Sequence, residues 1–499
     1  MDAEALDTKE LDTKVLADEV DGDPQRHVVV LGGGIAGLTA AYRLSQRADR
    51  PRVTLVEAGG RLGGKLRTER IDGFVVDTPP ESLAPGRPNA AMLAAELGVD
   101  LTEAAPGGAG AVLVKGRIRA MPEGIGGFMP RRILPLATTR LFSPAGKLRM
   151  AVEPVVPARR DTGDESLESF ATRRLGREAY RRLVEPVASG IFCGDPATLS
   201  ILATMPFLRA AESKHGGLVR AVLAERRATS AQASGSGPGS AKPAARRPGL
   251  MSPRTGMGAL VDALVARLDA AEAVTVLLRT RAGTLGTDAG HYVLTVHGPD
   301  GEARDLRADA VILATPTAAS ADLLASLGAA DAAATLHHMT TASTTTVSLG
   351  YRVAGMPDLD ALLPAHGYLI AEPGRGAVRS VTRSTTKFPG RAPAGHELFR
   401  VTVRADDAVD DDGLVRFARA ELSATLGIDA APVLAHVQRW TGVMPQYAVG
   451  HLDRVAEVEQ QLAAYPGVRL AGSGAYGLGI PDCVASAERA VDALVALPT

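Results

Sequence analysis

The sequence predicts a mixed α/β fold in which a dinucleotide-binding unit is joined to a β-rich region and a helical insert. Three observations carry this expectation. An apolar β-branched run leads through a glycine turn into a helix near the N-terminus, a long middle stretch shows helical periodicity, and alternating β-branched patterns return in the second half. At 499 residues the chain has room for two or more domains of about 150 residues each.

In chain order, residues 1–25 are polar and acid-rich, with Leu-Asp-Thr-Lys at Leu6–Lys9 and again at Leu11–Lys14, and without an apolar stretch typical of a secretion signal. A disordered leader is expected there. His27 to Leu31 then reads as a strand, Gly32-Gly33-Gly34-Ile35-Ala36-Gly37 as a glycine turn, and Leu38 to Ser45 as the helix that follows. Three of the glycines have distinct physical roles. Gly32 makes the tight turn, Gly34 lets a pyrophosphate approach, and Gly37 brings helix against strand. The helix start adds free N–H donors and a positive dipole end for phosphate. The next strand, Val53 to Val56, ends in Glu57, placed where an acid accepts ribose hydroxyls. This is a Rossmann-like unit.

Glu165 to Arg227 carries apolar residues at helical spacing, and the helical insert is expected over 121–227. Ala228 to Gly249, rich in Ser, Gly, Ala and Pro, reads as a flexible linker over 228–250. Strand patterns return at Thr275 to Val296, Ala308 to Pro316, Thr344 to Val353, around Val381, and at Leu398 to Val403. Val468 to Gly472 reads as the last strand. After Gly477 and Gly479, Pro481 stands where an N1 proline opens a helix running to about Val495. Asp482 is expected as a dipole-compensating acid in its first turn.

Composition narrows the function. Lys plus Arg number 55 and Asp plus Glu 56, a net charge of −1, so no whole-chain basic footprint for nucleic acid exists. Aromatics make up 4% of the chain, which disfavours base-stacking platforms. Cys193 and Cys483 have no metal-type spacing, and buried packing is expected of Cys483. His337-His338 reads as surface or helix-end structure. No metal site is expected. The uncharged run Val28 to Tyr42 is too short and glycine-broken to span a membrane.

After Glu57 and Ala58 comes Arg61-Leu62-Gly63-Gly64-Lys65. This resembles the extended fingerprint of the FAD-containing amine oxidase superfamily. Phe74 to Leu83, the stretch Gly190-Ile191-Phe192-Cys193-Gly194-Asp195-Pro196 with Leu199-Ser200, Trp440 to His451, and Gly477 to Cys483 are similar to motifs of the oxygen-dependent protoporphyrinogen and coproporphyrinogen III oxidases. The resemblance covers about residues 26 to 496. It departs at Pro79, where the family usually has glycine.

The resemblance implies FAD as cofactor and a p-hydroxybenzoate-hydroxylase-like architecture. The FAD domain would combine 26–105, 251–316 and 440–499, and the substrate domain 106–120 and 317–439. Implied cofactor contacts are Gly32, Gly33, Gly34, Ile35, Ala36, Gly37, Glu57, Ala58, Arg61, Gly64, Lys65, Pro79, Pro80, Glu81, Ser82, Val276, Trp440, Leu478, Gly479 and Ile480. The substrate would be a porphyrinogen, with dioxygen as acceptor, hydrogen peroxide as co-product and a ferrochelatase as receiver of the product. The flavin carries the chemistry, so no catalytic side chain is assigned.

Coproporphyrinogen III carries four propionates and protoporphyrinogen IX two, so a coproporphyrinogen enzyme needs more cations around its pocket. Arg87 and Lys387 are the expected substrate-binding cations, with Arg131, Arg132, Arg140, Arg177 and Arg181 as weaker ones that also read as solvated charges. The helical region lacks a long apolar face, although Leu134, Leu136, Leu141 and Phe142 could form a modest surface patch. A cytoplasmic oxidase of the coproporphyrinogen-using kind is expected, with peripheral membrane contact at that patch left open; the alternatives are a protoporphyrinogen IX oxidase and, more distantly, another flavoenzyme of the amine oxidase superfamily. Aliphatic side chains and a cationic rim are expected to hold the macrocycle.

Overall fold

The computed structural model describes residues 25–495, apart from 85, 107–109, 123–124, 127–128, 131–132, 236–248, 364, 372–375 and 405–407. The leader up to residue 24, Arg131, Arg132 and most of the expected linker therefore lie outside the described residues. β1 (His27–Leu31) is buried at every position, as a strand covered on both faces must be. It feeds α1 (Ile35–Ser45), and β2 (Arg52–Val56) returns parallel to β1 with Val28 beside Val53. Further along come the hairpin β3 (Ala111–Val114) and β4 (Arg117–Ala120), then α2 (Glu185–Phe192), β5 (Val274–Leu277) and β6 (Ala310–Leu313). The second half supplies β7 (Thr341–Arg352), β8 (Gly367–Ile370), β9 (Val378–Arg383), β10 (His396–Arg404), α3 (Asp411–Leu426), β11 (Leu434–Pro445), β12 (Val468–Leu470) and α4 (Ile480–Val495).

Two sheets organise these elements. The nucleotide sheet runs β5-β2-β1-β6-β12 with all strands parallel. Strand order reverses at β1, so the crevice at the carboxyl ends of β1 and β6 is where such a sheet binds ligands. Its cores are formed by α1, α4 and the helix Gly258–Asp269 on one face and by Thr317–Leu327 with its neighbours on the other. The second sheet runs β11-β7-β10-β9-β8-β3-β4. The boundary expected at residue 440 falls inside β11, so Trp440 belongs to this sheet.

The middle region is helical as expected, with one small addition and one boundary change. A two-residue pairing, Ile125–Gly126 with Met129–Pro130, precedes it. Its last helix runs Leu218–Gly235, into what reads as linker, because helix formers continue to Ser234 before the Gly- and Pro-rich run begins. Leu141 and Phe142 are 1% and 4% exposed and pack into the helical core with Leu136, so the surface patch expected there does not form. Arg174 and Glu153 are fully buried and paired, and Glu212 joins them with Arg173 and Arg209. Among the described residues no helix is long and apolar enough to cross a membrane.

Candidate active site

The glycine turn leaves the end of β1 with Gly32 at φ +100°, and its N–H donates to the Val56 carbonyl at 2.8 Å. A Cβ on Gly37 would strike the Gly32 carbonyl, whereas a Cβ on Gly34 would meet nothing within 4 Å. Gly37 is thus required by the fold and Gly34 faces open space. Gly34 is also the N-cap of α1 and supplies no side-chain cap, so the first N–H groups of Ile35, Ala36 and Gly37 have no side-chain acceptor there. The Glu57 carboxylate accepts from Gly33 N–H and Gly59 N–H, each at 2.7 Å, which fixes it at the lip of β2 beside exposed Ala58. Val276 lies one strand further out, opposite Leu55.

The second glycine loop docks directly on the first. Gly63 N–H donates to the Gly33 carbonyl at 2.8 Å, and Gly64 approaches Gly34 so closely that an added Cβ would lie 3.1 Å from its Cα. Arg61 donates to the Leu62 and Gly64 carbonyls, at 3.1 and 2.6 Å, and no carboxylate among the described residues pairs with it. Burial lowers its pKa. Lys65 Nζ donates to the Val443 carbonyl at 2.9 Å and to Ser473 Oγ at 3.2 Å, tying the loop to the end of β11 and to the C-terminal motif. Burial lowers this ammonium as well, with the neighbouring Cys483 thiol acting the other way. Cys483 itself is buried and free, its thiol raised to about 11 by burial against the opposing pull of Lys65.

The C-terminal motif completes this corner. Gly472 and Gly477 adopt φ +98° and +124°, the Gly472 N–H donates to Ser486 Oγ, and Ile480 is buried at the start of α4. Asp482 stands in the first turn of α4, where a dipole-compensating acid was expected, and in addition accepts from the Gly479 N–H at 3.2 Å. It also pairs with Arg87. Leu478 packs against the helical core, and Tyr447 donates to the Ser473 carbonyl.

One face of the second sheet looks toward α2. Strand pairing sets its rows: Trp440, Thr344 and Arg404; Gln438, Thr346, Thr402 and Ser380; His436, Ser348, Arg400 and Thr382. The alternate positions, among them Val347, Val381, Val401 and Val403, form the apolar core under α3. Over β11, β7, β10 and β9 the face toward α2 is therefore lined by hydroxyls, amide and cations, while Leu369 on β8 and Val112 on β3 continue it with aliphatic side chains. α2 closes over it at β8 and β9, with Gly190 so near that an added Cβ would sit 3.1 Å from Leu369 Cδ2. Gln446 Nε2 donates to the Phe192 carbonyl at 2.8 Å and fixes the end of α2 to the end of β11. Trp440 Nε1 and His436 Nε2 are buried with no hydrogen-bond partner among the described residues.

The description of the flavin containing amine oxidoreductase family fits residues 35–495 of the chain. The chain belongs to that family. It is 38% identical over 94% of its length to a coproporphyrinogen III oxidase of Propionibacterium freudenreichii subsp. freudenreichii, covering 90% of that protein. It is 32% identical over 95% of its length to the coproporphyrinogen III oxidase of Bacillus subtilis, covering 99% of it. A plant relative, protoporphyrinogen oxidase 1 of Arabidopsis thaliana chloroplasts, is 28% identical over 93% of the chain and 87% of that protein. A solved structure from Exiguobacterium sp. 255-15, provisionally named protoporphyrinogen oxidase, superposes with a TM-score of 0.78 at 27% identity, over 95% of this chain and 99% of that one.

The amine oxidoreductase fold implies FAD, and the residues present fit it. Four features are what a bound dinucleotide with a polar ring system requires: the open space at Gly34, the uncapped start of α1, Lys65 with no carboxylate partner among the described residues, and the orphaned Trp440 N–H. The segment Pro79-Pro80-Glu81-Ser82 has a cis Pro79–Pro80 peptide bond and leads into a buried ion cage. Glu81 Oε1 meets Lys387 Nζ at 2.5 Å and Glu81 Oε2 meets Arg400 at 2.8 Å. Burial alone would raise the Glu81 carboxyl, but Arg400, Lys387 and Arg391 hold it down at about 2.

These pairings revise the cation assignments of this flavoenzyme. Lys387 is 9% exposed and locked to Glu81, so it is a structural cation and not an open one for substrate. Arg87 is exposed on the surface side but already paired with Asp482. Arg177 and Arg181 stay on the helical region, and Arg140 lines a surface pocket of about 570 Å³ beside Arg119. Arg400, the second partner of Glu81, and Arg391, which pairs with buried Asp77 at 3.0 Å beside this cage, escape a reading of the chain because these contacts exist only after folding. The alternation Phe399-Arg400-Val401-Thr402-Val403-Arg404 was the available signal for a two-faced strand.

Proposed function

We propose that this chain is a coproporphyrinogen III oxidase, oxidising its substrate to coproporphyrin III with dioxygen as acceptor and hydrogen peroxide as co-product. The observation that carries the reading is the 38% identity, over nearly the whole chain, to a relative of that name. When bound, FAD supplies a two-electron acceptor for hydride from a bridge carbon, so six hydrogens leave in three rounds.

In this reading Gly32, Gly33, Gly34, Ile35, Ala36 and Gly37 cradle the pyrophosphate with backbone N–H groups, and Glu57 receives the ribose. Ala58 and Val276 flank the adenine side. Arg61, Gly64 and Lys65 run along the phosphates toward the ring system, where the two cations favour negative charge. Pro79, Pro80, Ser82, Trp440, Leu478, Gly479 and Ile480 surround the ring, and the start of α4 adds donor N–H groups. Glu81 keeps the wall beside them rigid through Lys387 and Arg400. The hydroxyl face orients the macrocycle and offers hydrogen bonds to its pyrroles, while α2 excludes water.

Handing the product to a ferrochelatase and working in the cytoplasm both follow the same reading. The test is stoichiometric. Purified protein should be yellow, and with coproporphyrinogen III it should consume three dioxygen and release three peroxide per coproporphyrin III formed. A colourless protein that gains no activity with added FAD would overturn the reading.

A further inference from the structure

The pairing between β9 and β10 slips at one place. Val378 stands opposite Val403 and Ser380 opposite Thr402, so Arg379 is an extra residue with no opposite number. Val378 and Val381 both rest on the apolar core under α3. In a regular strand position 379 would share the side of Val381 and drive a guanidinium into that core. The bulge turns it toward the other side, where Ser380 and Thr402 lie. Its neighbours agree with this direction: Arg379 is within electrostatic reach of Cys193, just past the end of α2, and of Arg404.

Arg379 is half-buried, and no carboxylate pairs with it among the described residues. Arg404, on the same face in the row of Thr344 and Trp440, likewise has no ion pair there. Two adjacent guanidinium groups without acids repel each other and are held in place by the strand backbone, Arg404 N–H donating to the Ala377 carbonyl at 2.7 Å. Burial and Arg404 both lower the Arg379 pKa, with Cys193 acting the other way. The cage below adds to the imbalance, since Glu81 is shared by two cations, Lys387 and Arg400. Among the described residues the hydroxyl face thus ends, at half-buried Arg379 and exposed Arg404, in positive charge without an acid partner.

We infer that Arg379, with Arg404 beside it, clamps a propionate carboxylate of the tetrapyrrole at this end of the hydroxyl face, and so favours the substrate with more carboxylates. The inference rests on the function proposed above. A guanidinium fork matches a carboxylate in two parallel hydrogen bonds, and the half-buried setting shields that pair from solvent.

The test uses the flavin-loaded full chain and two probes, coproporphyrin III and its neutral tetramethyl ester, with binding followed by porphyrin fluorescence. Arg379→Ala should weaken coproporphyrin III binding roughly tenfold or more, in line with a lost charge-assisted contact, and leave the ester unaffected. The KM for coproporphyrinogen III should rise with little change in kcat. Arg379→Lys should recover part of the affinity, and Arg416→Ala, an exposed cation on α3 across the sheet, should do nothing. Flavin content and thermal midpoint report whether each variant is folded, and Arg379→Gln replaces the alanine variant if that one is not.

Unchanged coproporphyrin III affinity in folded Arg379→Ala and Arg379→Gln, while the wild type still oxidises coproporphyrinogen III, overturns the clamp alone. Equal losses for acid and ester also overturn it, since they signify a misshapen face. A wild type that neither binds nor oxidises the tetrapyrrole overturns the functional reading and the clamp together.

Discussion

The buried arginines of the helical region and the half-buried Arg379 and exposed Arg404 of the hydroxyl face use the same side chain and differ in what surrounds them. In the helical region Arg174, fully buried, meets Glu153 and Glu212, and Arg173 and Arg209 add two further cations against Glu212 and Glu165. Charges matched in this way have no capacity left for a ligand. On the hydroxyl face Arg379 and Arg404 have no acid among the described residues, and the Glu81 cage beneath them holds more cations than carboxylates. The contrast teaches that a near-zero net charge is compatible with a strongly positive pocket: neutrality is a sum over the chain, and imbalance is local.

The comparison can be broken most easily at its matched end. Arg174→Met should leave the Glu153 and Glu212 carboxylates buried without their central cation, lowering stability by about 3–5 kcal/mol in a denaturant titration. A loss below about 1 kcal/mol would mean that the cluster is not the keystone described. Flavin content per folded molecule should be unchanged.

A smaller effect is expected at the cage. Glu81→Gln leaves Lys387 and Arg400 facing a neutral amide, at a cost of roughly 2–3 kcal/mol. Its pH signature is specific. The folded carboxyl titrates at about 2, below its ordinary value of 4.5, so its stabilisation is present above about 4.5 and is lost as pH falls through about 2. The wild type should therefore lose stability on acidification through that window, and the glutamine variant should lose measurably less of it. Parallel acid curves for the two proteins would contradict the cage.

Two glycines of one turn should differ sharply, and the second gives the smallest effect on folding. Gly37→Val should prevent correct packing of α1 on β1, because its Cβ collides with the Gly32 carbonyl. Gly34→Val should change stability by less than about 1 kcal/mol, since its Cβ meets nothing, and yet abolish the yellow colour. Bound flavin in the Gly34 variant would show that the open space is not the pyrophosphate cradle.

What could be read from the chain follows the range of the interactions. The glycine turn, Glu57 and the Arg61 to Lys65 loop are local features, and the structure brings them together within a few ångströms. The start of α4 and the apolar alternation of β10 were equally legible, since period and capping act over a few residues. The partner of Lys387 was not, because Glu81 lies 306 residues away and meets it only through the stacking of a loop on β9 and β10. Arg379 was hidden for another reason. In Val378 to Arg383 a simple alternation assigns it to the apolar side, and only a bulge, which leaves no mark in composition, reverses it. The hydroxyl face follows the same logic: its threonines and serines come from strands whose register is set by the whole sheet.

The most direct test of an unmatched, substrate-binding face is the ratio of kcat/KM for coproporphyrinogen III to that for protoporphyrinogen IX in the wild-type protein, measured at low and at high ionic strength. Coproporphyrinogen III should be preferred, with the preference shrinking as salt screens the additional carboxylates. A preference for protoporphyrinogen IX at every ionic strength would contradict the account.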